Sequence, residues 1–112
     1  MGSYIAAINE AMGHRVANIP NVVVYGENID NGSYMSGLTR NWEMPAGGRI
    51  INVGDSEATH CGVGFGLMLN GVTSILVAKQ LDFMLLGIDQ MVSTYQNVRS
   101  HRDLSTLGSF SI

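Results

Sequence analysis

A carboxylate placed where a strand hands over to a helix can trade a proton with a ligand nitrogen, and Glu57 reads as such a group. It follows the apolar run Arg49-Ile50-Ile51-Asn52-Val53 and the turn Gly54-Asp55-Ser56, at the carboxyl end of a strand, where open α/β sheets receive their ligands. A glutamate in a first helical turn also complements the helix macrodipole with no further role. The glycines that follow bear on the choice. Gly62, Gly64 and Gly66 each cost roughly 1 kcal/mol against alanine inside a helix, so something must approach that backbone closely, either a buried planar ligand or a tightly docked helix.

Other candidate groups carry less. Gly62-Val63-Gly64-Phe65-Gly66 has the spacing G-x-G-x-G and lies inside a helix instead of in a strand-to-helix turn, so it is not a dinucleotide fingerprint. His14, His60 and His101 are far apart, with no carboxylate or cysteine at ligand spacing, and this chain alone makes no metal site. His60 stands one helical turn from Glu57 and is a candidate pocket-lining residue. Cys61, the single cysteine, reads as a small buried hydrophobe, since no activating neighbour is legible. Phe83 and Tyr95, at helical positions, default to core aromatics.

The elements that must position these groups follow from hydrophobic period and turn chemistry. Ile5, Ile8, Met12 and Val16 form one stripe and predict a helix over residues 4–16, ended by Pro20. Val22 to Tyr25, closed by Gly26, is a short β-branched run of the kind buried on both faces in parallel sheets. Residues 27–48 hold no sustained period and predict a long loop with a short turn near 37–42. A strand over 49–53 leads, through an N-cap at Asp55 or Ser56, into a helix ending near Asn70-Gly71. A third strand spans 72–78, and an amphipathic helix spans 82–99 with Phe83, Leu86, Ile88, Met91, Val92, Tyr95 and Val98 as its apolar set. Phe110-Ser111-Ile112 begins a fourth strand. The expected fold is α/β, a parallel sheet with flanking helices and right-handed crossovers. It reads as one partial domain over 1–112, truncated after the fourth strand or completed by another chain.

Composition removes several classes. The chain has 112 residues, 46% hydrophobic and 13% charged, which suits one globular domain. A net charge of −3 offers no electrostatic footprint for nucleic acid. No apolar run is long enough to span a membrane and no signal-peptide core precedes the first helix, so the expected location is the cytoplasm.

Taken in order, the motifs resemble the pyrimidine-binding (Pyr) domain of transketolase-type thiamine-diphosphate enzymes, with the β subunits of 2-oxoacid dehydrogenase E1 components nearest. Gly26-Glu27 matches that family's strand ending in G-E, and Gly37-Leu38 its loop G-L. The run from Arg49 to Glu57 matches its R-I-I-[DN] strand and [TSG]-x-[ST]-E turn. The glycine-rich helix, Asp82-Phe83 and Ile88-Asp89-Gln90 follow in register, so the resemblance covers about residues 20–100.

The resemblance implies that Glu57 hydrogen-bonds N1′ of the cofactor's aminopyrimidine, promoting the imino tautomer that deprotonates the thiazolium, with burial raising the carboxyl's proton affinity. It implies that Phe83 stacks on the pyrimidine, and that Glu27 and the glycine helix lie at the cofactor and subunit interface, with helix on helix across a dimer axis. His60 joins the pocket lining only as a neighbour of Glu57. The G-D-G segment and asparagine pair that bind diphosphate through Mg²⁺ in that family are missing from this sequence, so the resemblance implies a diphosphate-binding partner domain or subunit that supplies the Mg²⁺ ligands, in a homo- or hetero-oligomer. Lys79 stands where relatives often carry an apolar residue. The implied substrates are 2-oxoacids or sugar phosphates. The alternatives are a non-catalytic Pyr-like assembly module that keeps only the interface, and a flavodoxin-like small-ligand binder.

Overall fold

The computed structural model describes residues 2–101 and 103–112. Four parallel strands form one sheet in the order β2-β1-β3-β4: β1 Val23–Gly26, β2 Arg49–Asn52, β3 Ser74–Val77 and β4 Phe110–Ser111. Helices flank the sheet, so the expected α/β architecture holds. The central strand β1 pairs with β2 from Val23↔Arg49 to Gly26↔Asn52, and with β3 from Val23↔Ser74 to Gly26↔Val77.

Strand alternation divides the core into two layers. On one face Val24, Ile75 and Val77 join Val16, Val22 and Ile29, and Met12 of the first helix packs against them. On the other face Tyr25 and Leu76 meet Cys61 and Met84, with Leu67, Met91 and Phe110 around them. A sheet covered on both sides explains why β1 and β3 read as continuous apolar runs. β2, at the sheet edge, leaves Ile51 exposed.

α1 (Tyr4–Val16) starts where the Ser3 hydroxyl accepts the Ala6 amide proton at 3.1 Å, and ends with His14 and Arg15 in its last turn, where positive charge suits the dipole. α2 (Glu57–Leu69) has Ser56 at its N-cap, but the Ser56 hydroxyl bonds Thr59 Oγ1 at 2.8 Å and caps no backbone amide. Glu57 is therefore the acidic group that faces the exposed amides of this N-terminus.

Between β1 and β2 the chain is irregular, as its aperiodic sequence predicts, yet it is firmly held. Asn9 Nδ2 on α1 donates to the carbonyls of Gly37, Leu38 and Arg40 at 3.2, 2.7 and 3.0 Å, and Trp42 Nε1 donates back to the Asn9 carbonyl at 3.1 Å. The buried Thr39 hydroxyl donates to the Ile29 carbonyl at 2.5 Å. Tyr34, Met35 and Ser36 all take left-handed φ of 51°, 51° and 57°, a run that L-residues adopt only when surrounding contacts fix it. Here the loop folds back on α1.

Residues 82–101 differ from the regular helix expected there. The chain stays helical, but it is overwound as a 3₁₀ helix at Asp82–Gly87, passes through a π-helical turn at Gln90–Thr94, and is α-helical only at Tyr95–His101, which we label α3. The change of pitch shifts the buried face. Met84 and Gly87 turn inward, whereas Leu86, Ile88 and Val92 of the expected apolar set are 65%, 44% and 63% exposed. Tyr95, expected in the core, is partly exposed and stacks on Phe65 with ring centroids 5.9 Å apart.

Candidate functional site

A cleft opens at the carboxyl ends of β1 and β3, beside the point where the chain leaves β1 for one neighbour and later returns on its other side. Such a switch point leaves room between diverging connections. Gly26 and Glu27 come from the end of β1, Val77 to Lys79 from the end of β3, Glu57 and His60 from the first turns of α2, and Phe83 and Met84 from the 3₁₀ segment. All four residues singled out from the sequence, Glu27, Glu57, His60 and Phe83, thus line one cleft. Lys79 joins them, as its place in the motif order suggests.

Local sequence explains the convergence. A Cβ on Gly26 would overlap the Val77 carbonyl oxygen and approach Ile29 Cγ2 to 3.1 Å, so only glycine lets β1 and β3 run this close before diverging. Opposite, a Cβ on Gly87 would come within 2.5 Å of Cys61 Sγ, which lets the 3₁₀ segment lie directly on α2. The enclosed space is ≈ 10 Å³, about one water. A ring-sized ligand must therefore occupy the open mouth, where Phe83 is 38% exposed.

The electrostatics are dominated by acid. Partial burial, a side-chain hydrogen bond with Asp55 and the negative charges of Asp55 and Glu57 push the Glu27 carboxyl above the ordinary glutamate range, with His60 opposing. A protonated Glu27 carboxyl can donate its proton to an Asp55 oxygen. Because folding raises this pKa, the stability that this proton contributes is present below the ordinary carboxylate pKa and is lost as pH climbs through the raised one. Asp55 was not singled out as a site residue in the sequence. The available signal was register: Gly26 pairs with Asn52, so the residues just beyond β1 and β2 emerge side by side.

Below the cleft, Cys61 is buried, and burial followed by the Glu57 charge pushes its thiol up, so it stays protonated and unreactive at neutral pH. Tyr25 reaches across from β1 into α2. Its hydroxyl donates to the His60 carbonyl at 2.6 Å, and burial holds the phenol far above its ordinary pKa. The bond ties the central strand to the first turns of α2. Among the described residues no group of three or more His, Cys, Asp or Glu side chains is arranged to hold a metal ion, and no helix is long and apolar enough to cross a membrane.

Residues 2–110 match the family described as transketolase, pyrimidine binding domain. The chain belongs to this family. The resemblance of the motif order is thereby borne out over nearly the whole chain. Among curated relatives, the chain is similar to the 2-oxoisovalerate dehydrogenase subunit beta of Bacillus subtilis (strain 168), 28% identical over 98 residues, covering 87% of this chain and 30% of that protein. The Pyr chain thus spans about 30% of the length of the curated relative it matches. No solved structure matches significantly.

The glycines of α2 divide into two sets within this Pyr fold. At Gly64 the close neighbour is neither the planar ligand nor the docked helix expected from the sequence but Phe110 of β4, whose ring lies where a Cβ would project and meets Phe65 edge to face at 5.1 Å. Gly62 has only the Gln90 side chain near it, at 3.8 Å, and Gly66 has nothing within 4 Å. With the exposed Val63 they form a smooth outer face. Gly66→Ala should therefore raise the stability of the isolated chain by about 0.5–1 kcal/mol through helix propensity, read as a rise in thermal midpoint. A fall would mean that the Gly66 backbone already meets something in the folded chain.

Proposed function

We propose that this chain forms the aminopyrimidine-binding half of a thiamine-diphosphate site in an enzyme of the 2-oxoacid dehydrogenase or ketol-transfer kind. The observation that carries the reading is the meeting of Glu57 and Phe83 at the mouth of one cleft, at the carboxyl ends of the strands. The residues present fit the group. Glu57 offers a carboxyl that can hold or pass a proton at a ring nitrogen, and the exposed Phe83 ring offers an apolar face for a planar heterocycle. Val77 and Ala78 close one wall at the end of β3. Glu27, paired with Asp55, keeps a proton beside Glu57 at pH values where an ordinary glutamate has lost it. His60 lines the floor. When bound, the cofactor would supply an electron sink for the pair left on a carbonyl carbon when its bond to the neighbouring carbon breaks.

A diphosphate-binding partner, as a second subunit or a further domain, would supply the Mg²⁺ ligands and the remaining walls in a homo- or hetero-oligomer acting on a 2-oxoacid or a sugar phosphate. The exposed residues Leu81, Leu85, Leu86 and Val92, at 87%, 66%, 65% and 63%, are an apolar area of the kind that a partner covers. A purely assembling Pyr module would keep that area too, and the Glu57 carboxyl distinguishes the two readings.

Native mass spectrometry of the protein purified from its source cells in magnesium tests the proposal. The expected species is an oligomer carrying one thiamine-diphosphate mass per site. An assembled oligomer without the cofactor would overturn the enzymatic reading in favour of the assembly module.

A further inference from the structure

The end of β2 holds more than the turn to α2. Asn52, its last residue, turns its side-chain oxygen toward the chain leaving β1 and accepts two consecutive backbone amide protons, from Ile29 and Asp30, both at 2.9 Å. Next to it Val53 donates its amide proton to the Gly26 carbonyl at 3.0 Å. The segment 26–30 is thereby gripped at both ends, with Glu27 between the grips. Asn28 has a left-handed φ of 53°, a conformation that asparagine tolerates better than most residues. It reverses the chain so that the Ile29 and Asp30 amides point at one acceptor. Ile29 is fully buried, and Thr39 receives support from its carbonyl, so the reversal cannot shift without disturbing the core.

We propose that Asn52 is a positioning residue for the cleft: by accepting the Ile29 and Asp30 amide protons it fixes the turn that carries Glu27 and holds that carboxyl against the Asp55–Glu57 turn. The argument is one of reach and chemistry. Two amides converging on one oxygen need an acceptor with two free lone pairs at the end of a short side chain, which asparagine and aspartate supply and alanine does not. The hold is local because Asn52 itself is exposed and contributes no apolar packing. Its effect on Glu27 is geometric, since Glu27 is one residue beyond the β1 terminus that pairs with Asn52. The groups facing Glu27 are Asp55 and Glu57 from the far side of β2, His60 from α2 and Lys79 from the end of β3. Of these, Asp55 and Glu57 follow β2 directly, so their placement against Glu27 depends on the two turns lying side by side.

The proposal concerns the shape of the cleft, and its readouts need no cofactor, so its failure and a failure of the cofactor reading are distinguishable. The test is NMR on the full chain, comparing wild type with Asn52→Ala and Asn52→Asp by amide exchange at Ile29 and Asp30 and by titration of the Glu27 side-chain carboxyl. In Asn52→Ala the two amides should exchange about tenfold faster or more, and the Glu27 midpoint should fall toward that of an ordinary glutamate. Asn52→Asp keeps the acceptor. It should retain the protection and leave the Glu27 midpoint at or above the wild-type value, because its added negative charge acts in the same direction. An unchanged Glu27 midpoint in Asn52→Ala would overturn the proposal, as would loss of amide protection in Asn52→Asp. Collapse of the whole sheet in Asn52→Ala would overturn it too, since the residue would then support the fold and not the turn.

Discussion

If the proposed cofactor role of Glu57 holds, Glu57→Gln should lower turnover of the assembly by roughly 10²–10⁴-fold, the range set by loss of a positioned general acid or base. Glutamine keeps the size and one hydrogen-bonding oxygen of glutamate but cannot exchange a proton, so cofactor occupancy should change far less than rate. The fold should survive. Removing one negative charge from the first turn of α2 costs on the order of 0.3–1 kcal/mol of dipole interaction. Two neighbours report the change independently of activity. The Glu57 charge is among the causes that raise both the Glu27 carboxyl and the Cys61 thiol, so both should titrate lower in the variant. Turnover within a factor of two of wild type would show that the cleft does not use this carboxyl.

The second large effect is structural and lies next to the first in space. Gly26→Ala should destabilise the fold by about 3 kcal/mol or more, because the new Cβ meets the Val77 backbone carbonyl and not a side-chain end that can swing away. β1 is the central strand and pairs on both sides, so separating it from β3 disturbs both core layers. Denaturant unfolding of wild type and variant measures this directly. A loss below 1 kcal/mol would mean that the strand ends can part at small cost, and that the narrow floor of the cleft is soft.

The sequence made the site legible earlier than it made its geometry legible. Glu57 and His60 could be named from local signals, a turn before a helix and one helical turn from the carboxylate, whereas Glu27 and Phe83 are reached only through the family resemblance, since Phe83 alone reads as a core aromatic. The order of those signals also carried the family. α1 and α2 could be bounded to within a residue because caps and breakers act locally. Residues 82–101 resisted, because their pitch is set by what they pack against. Gly87 lying on Cys61 favours tight winding, and no periodic pattern in the sequence encodes the compensating π turn. The loop between β1 and β2 resisted for a different reason. Its order comes from the side chains of Asn9, Thr39 and Asn52 bonding to distant backbone, and single polar residues look alike whether they hold a loop or merely face water.

The Tyr25 hydroxyl, bonded to the His60 carbonyl, ties the central strand to the helix that begins with Glu57. Glu27 lies two residues beyond that phenol along β1, and Glu57 three residues before His60 along α2. The two carboxylates therefore share a reference frame. A displacement of the helix against the strand would have to break that hydrogen bond, so the tie resists any change in the spacing of the two carboxylates.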